Sequence, residues 1–131
     1  MSELPVPITA IYAALQALLS IGLVVPIGRL RASTNVSLGA GGDARLETAI
    51  RRHANWTEHV PIALLLIALL ELNGASAGLL HGLGATLLVG RILHPLGLDA
   101  ANMRSPLRGI GALATLLVIL VAAIALLVKA F

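Results

Sequence analysis

The chain has 131 residues, 58% of them hydrophobic and 11% charged, with a formal net charge of +3. Soluble domains run near ~45–50% apolar and about 25% charged residues, so a mean hydropathy of +0.97 excludes an ordinary water-soluble fold and makes lipid the expected solvent. A small positive balance on so few polar residues does not suggest nucleic acid as a partner, and the lack of cysteine excludes disulfides and thiolate metal ligands.

A helix needs roughly 20 mostly apolar residues to cross a bilayer, and four segments qualify. The first covers about residues 7–28. The residues before it lack the basic start of a signal peptide, so this segment is expected to stay in the mature protein. The stretch STNVSLGAGGD, residues 33–43, is small, polar and glycine-rich and reads as a loop. The second segment starts polar near Glu47 and ends near Leu72. NGAS, residues 73–76, is a tight turn into a third segment at about residues 77–98. DAANMRSP leads to the fourth, at about residues 107–129. That last segment carries no ionisable group between Arg108 and Lys129, as expected of a helix facing lipid. The expected fold class is all-α: an integral-membrane four-helix bundle forming one domain over residues 1–131.

Arg29, Arg31, Arg45, Arg51 and Arg52 surround the first loop, and Arg104 and Arg108 flank the third. Only Lys129 lies at the opposite end. Excess Arg and Lys marks the cytoplasmic side, so both termini are expected on the non-cytoplasmic side.

The second segment, IRRHANWTEHVPIALLLIALLEL, carries its charges straight into an apolar run. On a helix, Arg51, Asn55, Glu58 and Ile62 share one stripe. Ionisable groups at membrane depth are costly and normally face a bundle interior or a wet cavity. Arg51 and Glu58 are about two turns apart, so each is expected to need a partner from another helix or from a ligand. The third segment adds Arg91 and His94, three apart on one face. The fourth adds Arg108 and the first adds Arg29, so every helix brings a cation to one level. The acids there, Glu58, Glu47 and Asp99, are fewer. The pattern suggests a cavity for an anionic or multi-carboxylate small molecule, because the rigid guanidinium fork binds carboxylates bidentately.

Plainer roles compete for some of these residues. Arg29, Arg31 and Arg104 suit positive-inside anchors, Arg52 can snorkel to headgroups, His81 suits hydrogen-bonded packing, and Glu71 suits a solvated turn. Pro61 and Pro95 can open a pocket beside the cluster, and Gly82, Gly84 and Gly90 permit close helix approach. No metal site is expected: His53 and His59 are poorly spaced as ligands, and His94 has no paired carboxylate at ligand spacing.

RRHANWTEHVP resembles the second-helix signature R-x-x-x-N-x-x-E-x-x-P of the MAPEG family, the membrane-associated proteins of eicosanoid and glutathione metabolism. The matching residues are Arg51, Asn55, Glu58 and Pro61. GRILHPLG resembles the family's third-helix R-x-x-H segment at Arg91 and His94. RSPLRGIG resembles its basic entry to the fourth helix, ending at Arg108, and GRLR resembles the end of its first helix at Arg29. The resemblance implies a homotrimer with glutathione, as co-substrate, bound between subunits near the cytoplasmic side. It implies that Arg51, Asn55 and Glu58 hold the tripeptide's charged ends, Glu58 taking the ammonium and Arg29 and Arg51 the carboxylates. Arg91 and His94 would contact or orient it, and Arg108 would stabilise the thiolate. The implied function is glutathione transfer or peroxidase chemistry on a lipophilic small-molecule substrate among membrane lipids. The alternative is a non-catalytic lipid-binding or scaffold trimer of the same fold. Where eicosanoid enzymes of the family often carry tyrosines this chain has Leu98 and Ala112, and where some have a serine after the arginine it has Gly109, which resembles bacterial members instead. A transporter driven by Glu58 is the third reading, disfavoured because aromatic residues are only 2% of the chain and cation carriers use aromatic cages.

Overall fold

The structure is a computed structural model, described here for residues 4–99 and 105–130. Its helices are α1 (Pro7–Thr34), α2 (Ala44–Leu72), α3 (Ala77–Gly97) and α4 (Pro106–Ala130). Each is long and apolar enough to cross a membrane. The architecture is all-α and multi-pass, as helices satisfy every backbone group internally where lipid offers no partner.

Helix ends follow local chemistry rather than apolar content. α1 does not stop at Gly28 but runs on to Thr34, because nothing in RLRAST breaks it. It ends where Asn35 takes a left-handed φ of 54° and donates its backbone N–H to the Arg31 carbonyl, the geometry of a helix C-terminus. Arg31 is then occupied within the loop, where its Nη1 donates to the carbonyls of Val36 at 3.2 Å and Gly39 at 3.1 Å. α2 starts earlier than Glu47 because Asp43 caps it, accepting from the backbone N–H of Arg45 at 2.8 Å and Leu46 at 3.2 Å. Side-chain oxygens of this kind satisfy N–H groups that the first turn leaves orphaned. The Arg45 guanidinium bonded to Asp43 holds its carboxyl down at about 2. The cap is therefore charged at all ordinary pH values and weakens only as acid approaches that value. Pro61 lies inside α2, which continues to Leu72, and Pro95 lies inside α3 just before its end.

The apolar core is built from Ala63, Ile67 and Leu70 of α2, Leu80, Leu83 and Leu87 of α3, and Val118 and Ala122 of α4. α3 and α4 cross with backbones almost touching. A Cβ on Gly111 would lie 2.6 Å from both the Gly90 carbonyl oxygen and the His94 nitrogen. Gly84 makes a similar approach to the Tyr12 ring, whereas Gly82, expected to do likewise, faces open space.

α1 is attached differently. Among the described residues, the ones it buries are Thr9 and Gln16, both polar. Glu71 is not a solvated turn residue: its carboxylate accepts from the backbone N–H of Ile8 at 2.8 Å and Thr9 at 2.7 Å, and from the Thr9 hydroxyl at 2.6 Å. It thereby caps the start of α1 from the end of α2. Further along the seam, Trp56 Nε1 donates to Gln16 Oε1 at 2.9 Å, and Ser20 meets His53 Nε2 at 3.4 Å. His81 pairs with the Tyr12 hydroxyl at 3.1 Å, consistent with a packing role. In lipid the hydrophobic effect does not join helices, and polar contacts of this kind do. Glu71→Leu should strand the first N–H groups of α1 and cost about 1–3 kcal/mol. The check is thermal unfolding in detergent, in which the variant melts below both wild type and Thr9→Val.

Candidate functional site

Asn55 and Arg91 organise the Arg-rich end. Arg91 is only 2% exposed, although a guanidinium is seldom buried without a paired acid. Its Nη1 donates to Asn55 Oδ1 at 2.7 Å and to the Asn55 carbonyl at 3.3 Å, and its Nη2 donates to the Gly111 carbonyl at 3.2 Å. Its Nε has no partner among the described residues. One α3 side chain thus ties α2 to α4. With its oxygen accepting from Arg91, the Asn55 carboxamide has its NH2 as the end left to donate among the described residues.

Beside this strut lies a cavity of about 340 Å³ lined by Glu47, Thr48, Arg51, Asn55, His94, Leu98, Asp99 and Arg108. Pockets of roughly 300–1,000 Å³ hold small ligands. α2 contributes its wall through Glu47, Arg51 and Asn55, spaced four apart and so aligned on one face. α3 contributes His94, which is 4% exposed. Arg108 comes from the first turn of α4, which presses on the end of α3 so closely that a Cβ on Gly97 would collide with the Arg108 backbone. Arg52 is anchored within the bundle. Its Nε and Nη2 donate to the Leu98 carbonyl at 3.1 and 2.7 Å, clamping the end of α3 to α2.

Four sequence-expected residues therefore line one cavity: Arg51, Asn55, His94 and Arg108. Arg91 stands behind the wall and positions Asn55. Glu58 and Arg29 are not on this wall. Arg29 is exposed on α1. Glu58 lies 3.9 Å from Arg51, with side chains 51% and 54% exposed respectively. The expectation that each needs a partner from elsewhere was wrong for this pair, because the long arginine chain spans two helical turns. So exposed and loose a contact contributes little and leaves Arg51 available to a ligand. Arg104 lies outside the described residues. Thr48 and Leu98 were not singled out as wall residues from sequence. Glu47 also stands on this wall, as its four-residue spacing from Arg51 allows. The cavity offers cations at Arg51 and Arg108 with acids at Glu47 and Asp99, a surface suited to a small molecule bearing both carboxylate and ammonium groups.

The MAPEG family model matches residues 9–128. The chain belongs to the MAPEG family. Inner membrane protein YecN of Escherichia coli K12 is 41% identical over 90 residues, 69% of this chain and 69% of that protein. Inner membrane protein YecN of E. coli O6:H1 (strain CFT073) matches to the same extent. No solved structure matches. For this MAPEG chain, membership establishes an integral membrane protein and supports a glutathione-related role at the level of the family. The cavity wall carries Arg51 and Asn55 of α2, His94 of α3 and Arg108 of α4.

Proposed function

We propose that this MAPEG protein binds glutathione at the Arg-rich end of α2, α3 and α4 and uses it as co-substrate, as a transferase or peroxidase, against lipophilic electrophiles dissolved in the bilayer. The observation that carries this reading is the shared cavity holding Arg51, Asn55, His94 and Arg108 on three helices. Arg51 takes a carboxylate through its fork, and Asn55 donates from its NH2. Within one protomer the ammonium falls to Glu47 rather than to Glu58. Arg108 faces the thiol. A nearby cation lowers a thiol's pKa, and the thiolate is the nucleophile. In transfer, the thiol gives up its proton, sulfur forms a bond to the electrophilic carbon, and the leaving group departs with its electron pair.

Arg29 and Glu58 then serve a neighbouring copy's cavity, which makes the working unit a homotrimer with sites between subunits. The excess of arginine at this end sets it toward the cytoplasm, with both termini opposite. The test is calorimetric titration of purified protein with glutathione, run beside conjugation of a chlorodinitrobenzene-type electrophile. Saturable binding and conjugation above the uncatalysed rate are expected. Absence of both sinks the proposal. A second reading, a non-catalytic lipid-binding or scaffold trimer, draws on Leu98 standing on the wall where an aromatic residue would pack on the tripeptide. It predicts bound lipid that survives Arg108→Ala.

A further inference from the structure

A second concavity, of about 320 Å³, lies on another side of α2, between α1 and α3. Leu19, Leu23 and Pro26 form one wall, Pro95 and Leu96 the other, and Arg52 is the charged residue on its surface. Arg52 follows Arg51 by one position, about 100° around the helix, so the two arginines serve different spaces. The Arg52 guanidinium is not a loose surface cation. Two of its N–H groups are fixed on the Leu98 carbonyl, which holds its plane at the groove. Pro26 lies inside α1 and offers no N–H to the carbonyl four residues back. That carbonyl belongs to Gly22, which also lines the groove and has open space where a side chain would be. The groove therefore combines apolar walls, one fixed cation and one backbone acceptor without its helical donor.

We propose that this groove binds one acyl chain of an anionic phospholipid, with the phosphate on Arg52. The chain lies along the leucine and proline walls. The phosphodiester takes N–H groups that Arg52 does not spend on Leu98, because guanidinium matches phosphate geometry. A head-group hydroxyl meets the Gly22 carbonyl. Charge complementarity selects this occupant over a zwitterionic lipid: both carry the phosphodiester, but the zwitterionic head group adds an ammonium that is repelled by the fixed Arg52 cation. This site is separate from the glutathione cavity and does not depend on that reading.

Native mass spectrometry of the full protein, released from micelles holding equal amounts of phosphatidylglycerol and phosphatidylcholine, tests it. Wild type should retain phosphatidylglycerol about tenfold over phosphatidylcholine, as one repulsive head-group charge near a fixed cation allows. Arg52→Lys should keep part of that preference and Arg52→Gln should abolish it. Because Arg52 also clamps Leu98, Gly22→Phe provides an independent arm. It fills the groove from an open position, leaves Arg52 in place, and should reduce retention of both lipids. Equal retention by wild type overturns the proposal, as does unchanged retention by Gly22→Phe. The chain has no cysteine of its own, so Leu23→Cys reports directly on what covers the groove. Efficient disulfide formation between copies at that position would show a second protein molecule there and would also overturn it.

Discussion

Arg108→Ala should lower glutathione-dependent conjugation at neutral pH about 30-fold, because a thiol with its ordinary pKa of about 8.5 is only about 3% ionised at pH 7. The reasoning is electrostatic. Arg108 stands on the cavity wall at the first turn of α4, and Arg51 is the other arginine on that wall, engaged with a carboxylate in the proposed complex. Without Arg108 the thiol returns toward its ordinary pKa of about 8.5. The sign of the pH dependence follows. The wild-type rate should already be level near neutrality, because the thiol is ionised there. The variant's rate should keep rising with pH until it passes that ordinary value, and at high pH the two should converge. Arg108→Lys should fall between them, since an ammonium supplies charge without the fork. Glutathione affinity should change far less than the rate, which separates thiol activation from mere binding. If the pH–rate profile of Arg108→Ala overlays that of wild type at lower amplitude, Arg108 does not set the thiol's ionisation.

The same residues show how far a sequence of this kind can be read. The spans were legible because lipid imposes one simple requirement, an apolar run of sufficient length, and the chain repeats it along its length. Where helices end was less so. Apolar content does not stop a helix, and α1 outruns its own by continuing to Thr34. The α2 stripe was legible through the helical period, which aligns Arg51 with Asn55 whatever surrounds them. The same period aligned Glu58 too, but could not tell that Glu58 would lie half exposed against Arg51 rather than in the cavity, because that depends on how α2 rolls against its neighbours. Roles created by long-range contacts were the least visible. Glu71 caps α1 across more than 60 residues of sequence, and Arg52 holds an α3 carbonyl. In isolation both read as surface charges. Arg91 was recognisable as a cation near the site, but not as a strut, because its partners Asn55 and Gly111 are brought to it by packing alone.

That strut makes Gly111 a sensitive position in the scaffold. Gly111→Ala places a methyl group 2.6 Å from the Gly90 carbonyl oxygen and from the His94 nitrogen. Both are backbone atoms of α3, and no side-chain rotation relieves them. The helices must separate, and overpacking of this kind costs about 1–3 kcal/mol. In a membrane the cost is not recovered, because close packing of small residues is itself what joins α3 to α4. Separation also draws the Gly111 carbonyl away from Arg91 Nη2, now at 3.2 Å. The buried guanidinium then loses its hold on α4, and the Asn55 amide loses its fixed orientation. Stability and glutathione binding should therefore fall together: a lower unfolding temperature in detergent, with a weakened or absent calorimetric signal at temperatures where the variant is still folded. Gly82→Ala is the matched control. It lies on α3 with open space around it, and replacing a helical glycine there should leave binding intact and add up to about 1 kcal/mol of stability. Thr115→Val removes the other side-chain donor to the Gly111 carbonyl while keeping nearly the same volume at the crossing, and should cost less than Gly111→Ala. A Gly111→Ala protein that melts with wild type and binds as well would mean that α3 and α4 are not in backbone contact. Arg91 could not then be the tie that shapes the cavity.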